Sequence, residues 1–254
     1  MTAKIWDAST GAFQQTLEGH GGTVSSVAFS HDSKLLASAS RERTVKIWDV
    51  STGALQQTLK GHSDKVSSVA FSYDSKLLAS ASEDMTVKIW DMSTGAFQKT
   101  LEGHRSAVSS VTFSHDSKLL ASASWDRTVK IWDISTGFCY QIATVKTYVA
   151  NLSFDNIDSA LLMNVGSIKV DRTKLFIAPR HSQYIKGGKG DYQGLGMRRS
   201  WVTWNTQNLL WLPPDYRVTQ FDISLSRSIV AGGCSTGKVF IIGFSLTNLM
   251  QHFG

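Results

Sequence analysis

GHSDKVSSVAFSYDSKLLASASEDMTVKIWDMSTGAFQKTLE, residues 61–102, recurs on both sides of itself without insertion or deletion, at 19–60 and at 103–144. Gly-His stands at Gly19-His20, Gly61-His62 and Gly103-His104. Ile-Trp-Asp stands at 5–7, 47–49, 89–91 and 131–133. Both markers step by 42 residues. Within one unit the pattern is that of strands. Val66–Phe71 is short and β-rich. Leu77–Ser82 is apolar and small, as a strand buried on both faces would be. Thr86–Trp90 and Phe97–Leu101 alternate. Turn residues separate them at Tyr73-Asp74-Ser75, Glu83-Asp84-Met85 and Ser93-Thr94-Gly95.

Four short strands joined by tight turns make one antiparallel sheet. One such sheet cannot cover both of its faces, so the copies must stack. A period in the forties, opened by Gly-His and closed by Trp-Asp, marks a propeller blade. The expected fold is all-β.

Over about residues 3–145 these copies resemble WD repeats. The resemblance implies a β-propeller that holds other proteins together, with a hydrogen-bonded tetrad in each blade. Carried onto this sequence, the tetrads are His62, Ser80, Asp84 and Trp90, then His104, Ser122, Asp126 and Trp132. The first full blade matches at His20, Ser38 and Trp48 but has Glu42 where the pattern wants Asp, so its network is expected to be disturbed. Ser80 is preferred to Ser82 as the tetrad member.

Residues 1–18 read as half a blade, its last two strands; 19–145 as three near-identical blades; and 146–254 as degenerate blades with a basic, Gly-rich loop at 178–199. In the tail, Tyr148–Phe154 resembles a first strand, and further strands are expected at 160–165, 167–170, 200–204, 208–212, 219–224, 228–233 and 238–244. The total is about five four-stranded blades, incomplete at the N-terminus, with Ala12–Leu17 a candidate fourth strand for the last blade. Pairing the chain's two ends would remove open sheet edges. The chain is expected to be a fragment, or a product that begins mid-propeller.

The first two full copies differ at 11 of 42 positions, and six of these fall in two triplets: one follows Gly-His, the other lies between strands two and three. The third copy varies there too. In the implied geometry both turns emerge on one rim. Thr23, Arg41, Arg43, Asp64, Lys65, Glu83, Met85, Arg105, Trp125 and Arg127 are therefore the candidate protein-binding face. Exposed turns also drift for want of constraint. Trp125 favours binding, because Trp and Arg are common interface anchors.

The run Ser200-Trp201-Val202-Thr203-Trp204-Asn205, with Asn208-Leu209-Leu210-Trp211-Leu212-Pro213-Pro214-Asp215-Tyr216-Arg217, resembles the C-terminal end of fungal NACHT-type NTPases that carry WD repeats. High identity between neighbouring blades is also typical of that group. The resemblance implies the ligand-sensing end of a self/non-self receptor, or a remnant of one, with the nucleotide-binding part upstream.

The 254 residues are 42% hydrophobic and 18% charged, enough for a sizeable core. Cys139 and Cys234 have neither metal nor disulfide-framework spacing, which favours a reducing, cytoplasmic setting. No leader is visible, and the longest apolar runs are strand length. Of the net charge of +6, none lies in 1–145, which holds 14 Lys/Arg and 14 Asp/Glu. The segment 169–199 alone carries eight basic residues against Asp171 and Asp191. That segment could bind nucleic acid or an anionic surface, or be a solvated loop. No nucleic-acid module accompanies it, so nucleic acid is disfavoured as a partner. Membrane association is expected only through partners or this loop.

His62, Ser80 and Asp84 also contain the parts of a nucleophilic triad. Their recurrence every 42 residues favours a brace in each blade over a single active site. Gly187-Gly188-Lys189-Gly190 lacks phosphate-loop spacing, and His31, His115, His181 and His252 lack ligand spacing. The expectation is a non-catalytic scaffold with protein partners, no cofactor and no metal. An adaptor assembling a complex on an organelle, as in mitochondrial fission, is the alternative. Such adaptors would be expected to carry a coiled-coil arm, and none precedes Ala3 in this sequence.

Overall fold

The computed structural model describes residues 2–164 and 166–171 and, beyond them, the strands between Tyr184 and Gly243 with Leu212. Every described regular element is a strand. β1 (Thr2–Trp6) and β2 (Phe13–Glu18) form a two-stranded sheet. The repeat then gives three sheets, each ordered as in the chain. The first is β3 (Val24–Phe29), β4 (Leu35–Ser40), β5 (Thr44–Asp49) and β6 (Leu55–Lys60). The second is β7 (Val66–Phe71), β8 (Leu77–Ser82), β9 (Val87–Asp91) and β10 (Phe97–Leu101). The third is β11 (Val108–Phe113), β12 (Leu119–Ser124), β13 (Thr128–Asp133) and β14 (Cys139–Thr144). β15 (Leu152–Phe154), β16 (Ala160–Met163) and β17 (Gly166–Lys169) follow as a three-stranded sheet.

The register shows why the repeat tolerates so little change. Ala79 pairs with Ile89 and Ala81 with Val87, and all four are fully buried. β8 lies between two strands of its own sheet and between neighbouring sheets, so only small side chains fit at these two positions. The cores lie between sheets. Ala37, Ala39, Val45, Ile47 and Leu59 of the first pack on Val66, Val69, Phe71, Leu78, Trp90 and Met92 of the second. The same residue types, 42 positions on, join the second sheet to the third, except that Ile134 stands where the first core has Met92. Each such large side chain contributes about 1.5–3 kcal/mol on burial. Serine hydroxyls add a polar stitch at each junction. Ser25 donates to the Val66 carbonyl, Ser67 to that of Val108, and Ser109 to that of Val149 at 3.0 Å.

The outer surface of the first sheet is different. β1 and β2 cover only its outer half, where Ile5 and Leu17 pack on Leu36 and Trp48. Val27 and Phe29 on β3 are 52% and 50% exposed, whereas their counterparts Val69 and Phe71 are 5% exposed. Trp6 is 56% exposed, against 2% for Trp48. Among the described residues the ladder of β1 and β2 contains no third strand.

Two expectations need correction. Tyr148 does not begin a strand, because β15 starts at Leu152. The segment 178–199 is not all loop. It contains β18 (Tyr184–Lys186), parallel to β14 through Ile142–Tyr184, Ala143–Ile185 and Thr144–Lys186, and β19 (Leu195–Arg198). An outer strand has unpaired backbone groups on one side, and a short extended segment satisfies them whatever its side chains. Gly187-Gly188-Lys189-Gly190, His181, His252, Pro213-Pro214 and most of the basic side chains of 169–199 lie outside the described residues.

The chain divides into two compact units, one of residues 1–162 with 168–187, the other of 163–167 with 188–254. In the second, β19 pairs with β20 (Trp201–Trp204) and β20 with β21 (Gln207–Trp211). β22 (Val218–Ser224), β23 (Ile229–Cys234) and β24 (Val239–Gly243) form a three-stranded sheet.

Candidate functional site: a braced framework and a varied rim

Within each four-stranded sheet one serine sits at the centre of a buried polar chain. Trp90 Nε1 donates to Ser80 Oγ at 2.9 Å, Ser80 Oγ lies 2.8 Å from His62 Nε2, and His62 Nδ1 lies 2.8 Å from Asp84 Oδ2. In the third sheet, Trp132 Nε1 donates to Ser122 Oγ at 2.8 Å, Ser122 Oγ lies 2.8 Å from His104 Nε2, and His104 Nδ1 lies 2.9 Å from Asp126 Oδ2. One proton order satisfies every atom: Trp to Ser, Ser to His Nε2, His Nδ1 to carboxylate. Ser82 is placed elsewhere, donating to the carbonyls of Asp64 and Lys65.

Glu42 does not disturb the first network as expected. Its carboxylate lies 2.5 Å from His20 Nδ1 and accepts from the Gly21 amide at 2.7 Å. His20 Nε2 is 2.7 Å from Ser38 Oγ, which accepts from Trp48 Nε1 at 2.8 Å. The extra methylene is accommodated by two glycines. A Cβ on Gly22 would lie 2.9 Å from the Glu42 amide nitrogen, and one on Gly21 would lie 3.0 Å from Glu42 Oε2. The sequence holds the matching signal, because Gly21-Gly22 stands only in the copy that carries Glu42.

A fifth member was missed. The Thr86 hydroxyl donates to Asp84 Oδ1 and that of Thr128 to Asp126 Oδ1, both at 2.6 Å, and that of Thr44 to Glu42 at 2.8 Å. The signal was a Thr two residues after the carboxylate in every copy.

Burial opposes ionisation of these carboxyls, yet the hydrogen bonds prevail. Asp126 is held at about 2 by the Thr128 hydroxyl, the Arg105 amide and His104. Glu42 is held at about 2 by His20, Thr44 and Gly21. His62 and Thr86 hold Asp84 well below the usual range. Burial lowers His104 from its ordinary 6.5, with Asp126 only partly opposing. Both effects have one sign. A depressed carboxyl stabilises the fold above its ordinary pKa and loses that contribution as pH falls towards the folded value. A depressed histidine favours the fold while neutral and weakens it once the unfolded chain takes up the proton. The melting temperature is therefore expected to decline gently as pH falls below about 6.5 and steeply below about 4. Thermal melts across pH check this, and a melting temperature that rose between those values would contradict it.

These chains have the form of a catalytic triad but not its access. Ser38, Ser80 and Ser122 are fully buried, and each is already bonded to a tryptophan and a histidine. Among the described residues, no group of three or more His, Cys, Asp or Glu could hold a metal ion.

Above each brace the two variable turns meet through the backbone. The Arg41 amide donates to Thr23 O at 2.9 Å, Glu83 to Lys65 O at 2.9 Å and Trp125 to Ala107 O at 3.0 Å. Thr23, Arg41, Arg43, Met85, Arg105, Trp125 and Arg127 are exposed, whereas Asp64, Lys65 and Glu83 are half-buried. Lys65 Nζ reaches Glu83 at 3.1 Å. Trp125 is 66% exposed and stands edge-on to Tyr148, with ring centroids 5.5 Å apart. Tyr148 was not anticipated at the rim, since its β-rich surroundings read as strand.

The model of the WD domain, G-beta repeat, matches residues 11–49, 53–91 and 95–133. The chain carries a WD-repeat domain. Each matched stretch begins at an outer strand (β2, β6 or β10) and ends on the third strand of the next sheet. WD repeats are generally non-catalytic modules for protein–protein interaction. The chain is also similar to vegetative incompatibility protein HET-E-1 of Podospora anserina, at 45% identity over 94 residues. The match covers 37% of the chain and 6% of that protein. This agrees with the expected resemblance to fungal NACHT-type proteins. Among the described residues, no helix is long and apolar enough to cross a membrane.

Proposed function

We propose that this WD-repeat domain is a non-catalytic recognition module, acting in the cytoplasm as the sensing end, or a remnant, of a fungal NACHT-type receptor. Its binding face is the rim of Thr23, Arg41, Arg43, Asp64, Lys65, Glu83, Met85, Arg105, Trp125 and Arg127. One contrast carries the reading. The framework is copied nearly without change and tied by buried networks, whereas the turns above it differ in every blade and expose a tryptophan.

The test is affinity capture from a fungal extract, with the native chain, Trp125→Ala, and a variant neutralised across 169–199. Trp125→Ala is expected to melt like the native chain and to lose the captured protein, while the neutralised variant keeps it. The reverse pattern would transfer the binding to the basic segment.

A further inference from the structure

Resting on the rim as the binding face, we infer that its partner is an acidic polypeptide segment with an apolar or aromatic residue between its carboxylates. Arg41 and Arg43 on the first blade, and Arg105 and Arg127 on the third, are exposed. None of the four forms an ion pair among the described residues. The carboxylates beside them are engaged. Glu42 is held by His20 and Thr44, Asp126 by His104 and Thr128, Asp84 by His62 and Thr86, and Glu83 by Lys65. Among the described residues the rim thus presents two pairs of guanidinium groups without counter-charge, and a guanidinium fork matches a carboxylate with two parallel hydrogen bonds.

Backbone geometry adds an independent argument. Arg43, Met85 and Arg127 occupy equivalent turn positions with φ of 70°, 69° and 65°. In this left-handed region a side chain is strained and glycine is not. The side chains of Arg43 and Arg127 make no hydrogen bond or ion pair among the described residues that would explain their retention there. Strain held without a structural return points to function.

The middle of the rim sets the class of polyanion. β3, β7 and β11 are successive neighbours, so the turns bearing Met85 lie between the two arginine pairs. There the surface offers Met85, the mutually neutralising pair of Lys65 and Glu83, the carboxylate of Asp64, and beyond them the Trp125–Tyr148 pair. A nucleic-acid strand needs an unbroken basic track for its phosphates. Two separated arginine pairs around an apolar, partly acidic centre suit a peptide whose carboxylates are likewise separated.

Fluorescence anisotropy tests this with a labelled peptide carrying glutamates on both sides of a central phenylalanine. A peptide with lysines in their place and a single-stranded oligothymidylate are the comparisons. The acidic peptide is expected to bind, more weakly as salt is raised. The double variant Arg43→Gly/Arg127→Gly should weaken it by roughly tenfold while melting at an unchanged or higher temperature, because glycine relieves the strained turns. A structural role for these arginines would instead lower the melting temperature. Equal or better binding of the lysine peptide, or tighter binding of the oligonucleotide, overturns the acidic-peptide inference. If Trp125→Ala still weakens that rival ligand, the rim remains the binding face and only the charge class fails. If no ligand responds to Trp125 or to the arginines, both readings fall.

Discussion

Ser80→Ala is expected to destabilise the domain by about 2–5 kcal/mol, far more than so small a deletion removes by volume. Ser80 Oγ is the common partner of Trp90 Nε1 and His62 Nε2, and all three residues are buried. Alanine strands both nitrogens where water cannot replace the hydroxyl, and each orphaned polar group costs about 1–3 kcal/mol. For a unit of this size that is a fall of roughly 5–15 °C in melting temperature. Ser82→Ala is the control. Ser82 is equally buried, but its hydroxyl bonds only to backbone groups of half-buried residues, donating to the carbonyls of Asp64 and Lys65 and accepting from the Asp84 amide, and the expected loss is smaller, about 1 kcal/mol. Urea melts of both variants decide the matter, and equal losses would mean that the Trp-Ser-His-Asp chain is no special brace.

The second large effect is a gain. A copy of residues 61–85 joined directly before Thr2 is expected to raise stability by several kcal/mol, at about 1.5–3 kcal/mol for each large side chain newly covered. In the second blade, β8 pairs with β9 in the register Leu77–Asp91 to Ala81–Val87. Thr2–Trp6 repeats the β9 pattern one step earlier and has β2 on one side. The added hairpin would pair along β1, offer a serine hydroxyl to the exposed Trp6 indole and lay its inner strand over Val27 and Phe29. Thermal melts report the gain, and a blue shift in tryptophan emission reports burial of Trp6. A fusion that melts like the native chain, without that shift, would show that the exposed surface does not accept a blade hairpin.

Most of the framework was legible because four copies of the Ile-Trp-Asp strand mark the same turns, so any one strand was read several times over. The small residues of Leu77–Ser82 announced a strand enclosed on all sides, and the structure encloses it. The first blade was misread because Glu42 was judged alone. Its accommodation depends on Gly21 and Gly22, twenty residues away in sequence and in contact in space. Tyr148 was misplaced for a related reason: its composition suits a strand, and only the ring of Trp125 says otherwise. The strand Tyr184–Lys186 was illegible because backbone groups at the edge of β14, not side chains, hold it.

The two turns that build one blade's share of the rim lie within one 42-residue unit and are hydrogen-bonded to each other. Their chemistry is therefore portable. Exchanging one unit for another moves a whole patch of the proposed recognition surface, already folded against itself, while the Ser, His and Trp beneath stay the same. The exchange carries one condition, visible at Glu42: the carboxylate and the residues after Gly-His must travel together, or the graft will clash. On the proposed function, a chain built this way can change what it recognises by recombining its own parts, with no new fold to be found at any step.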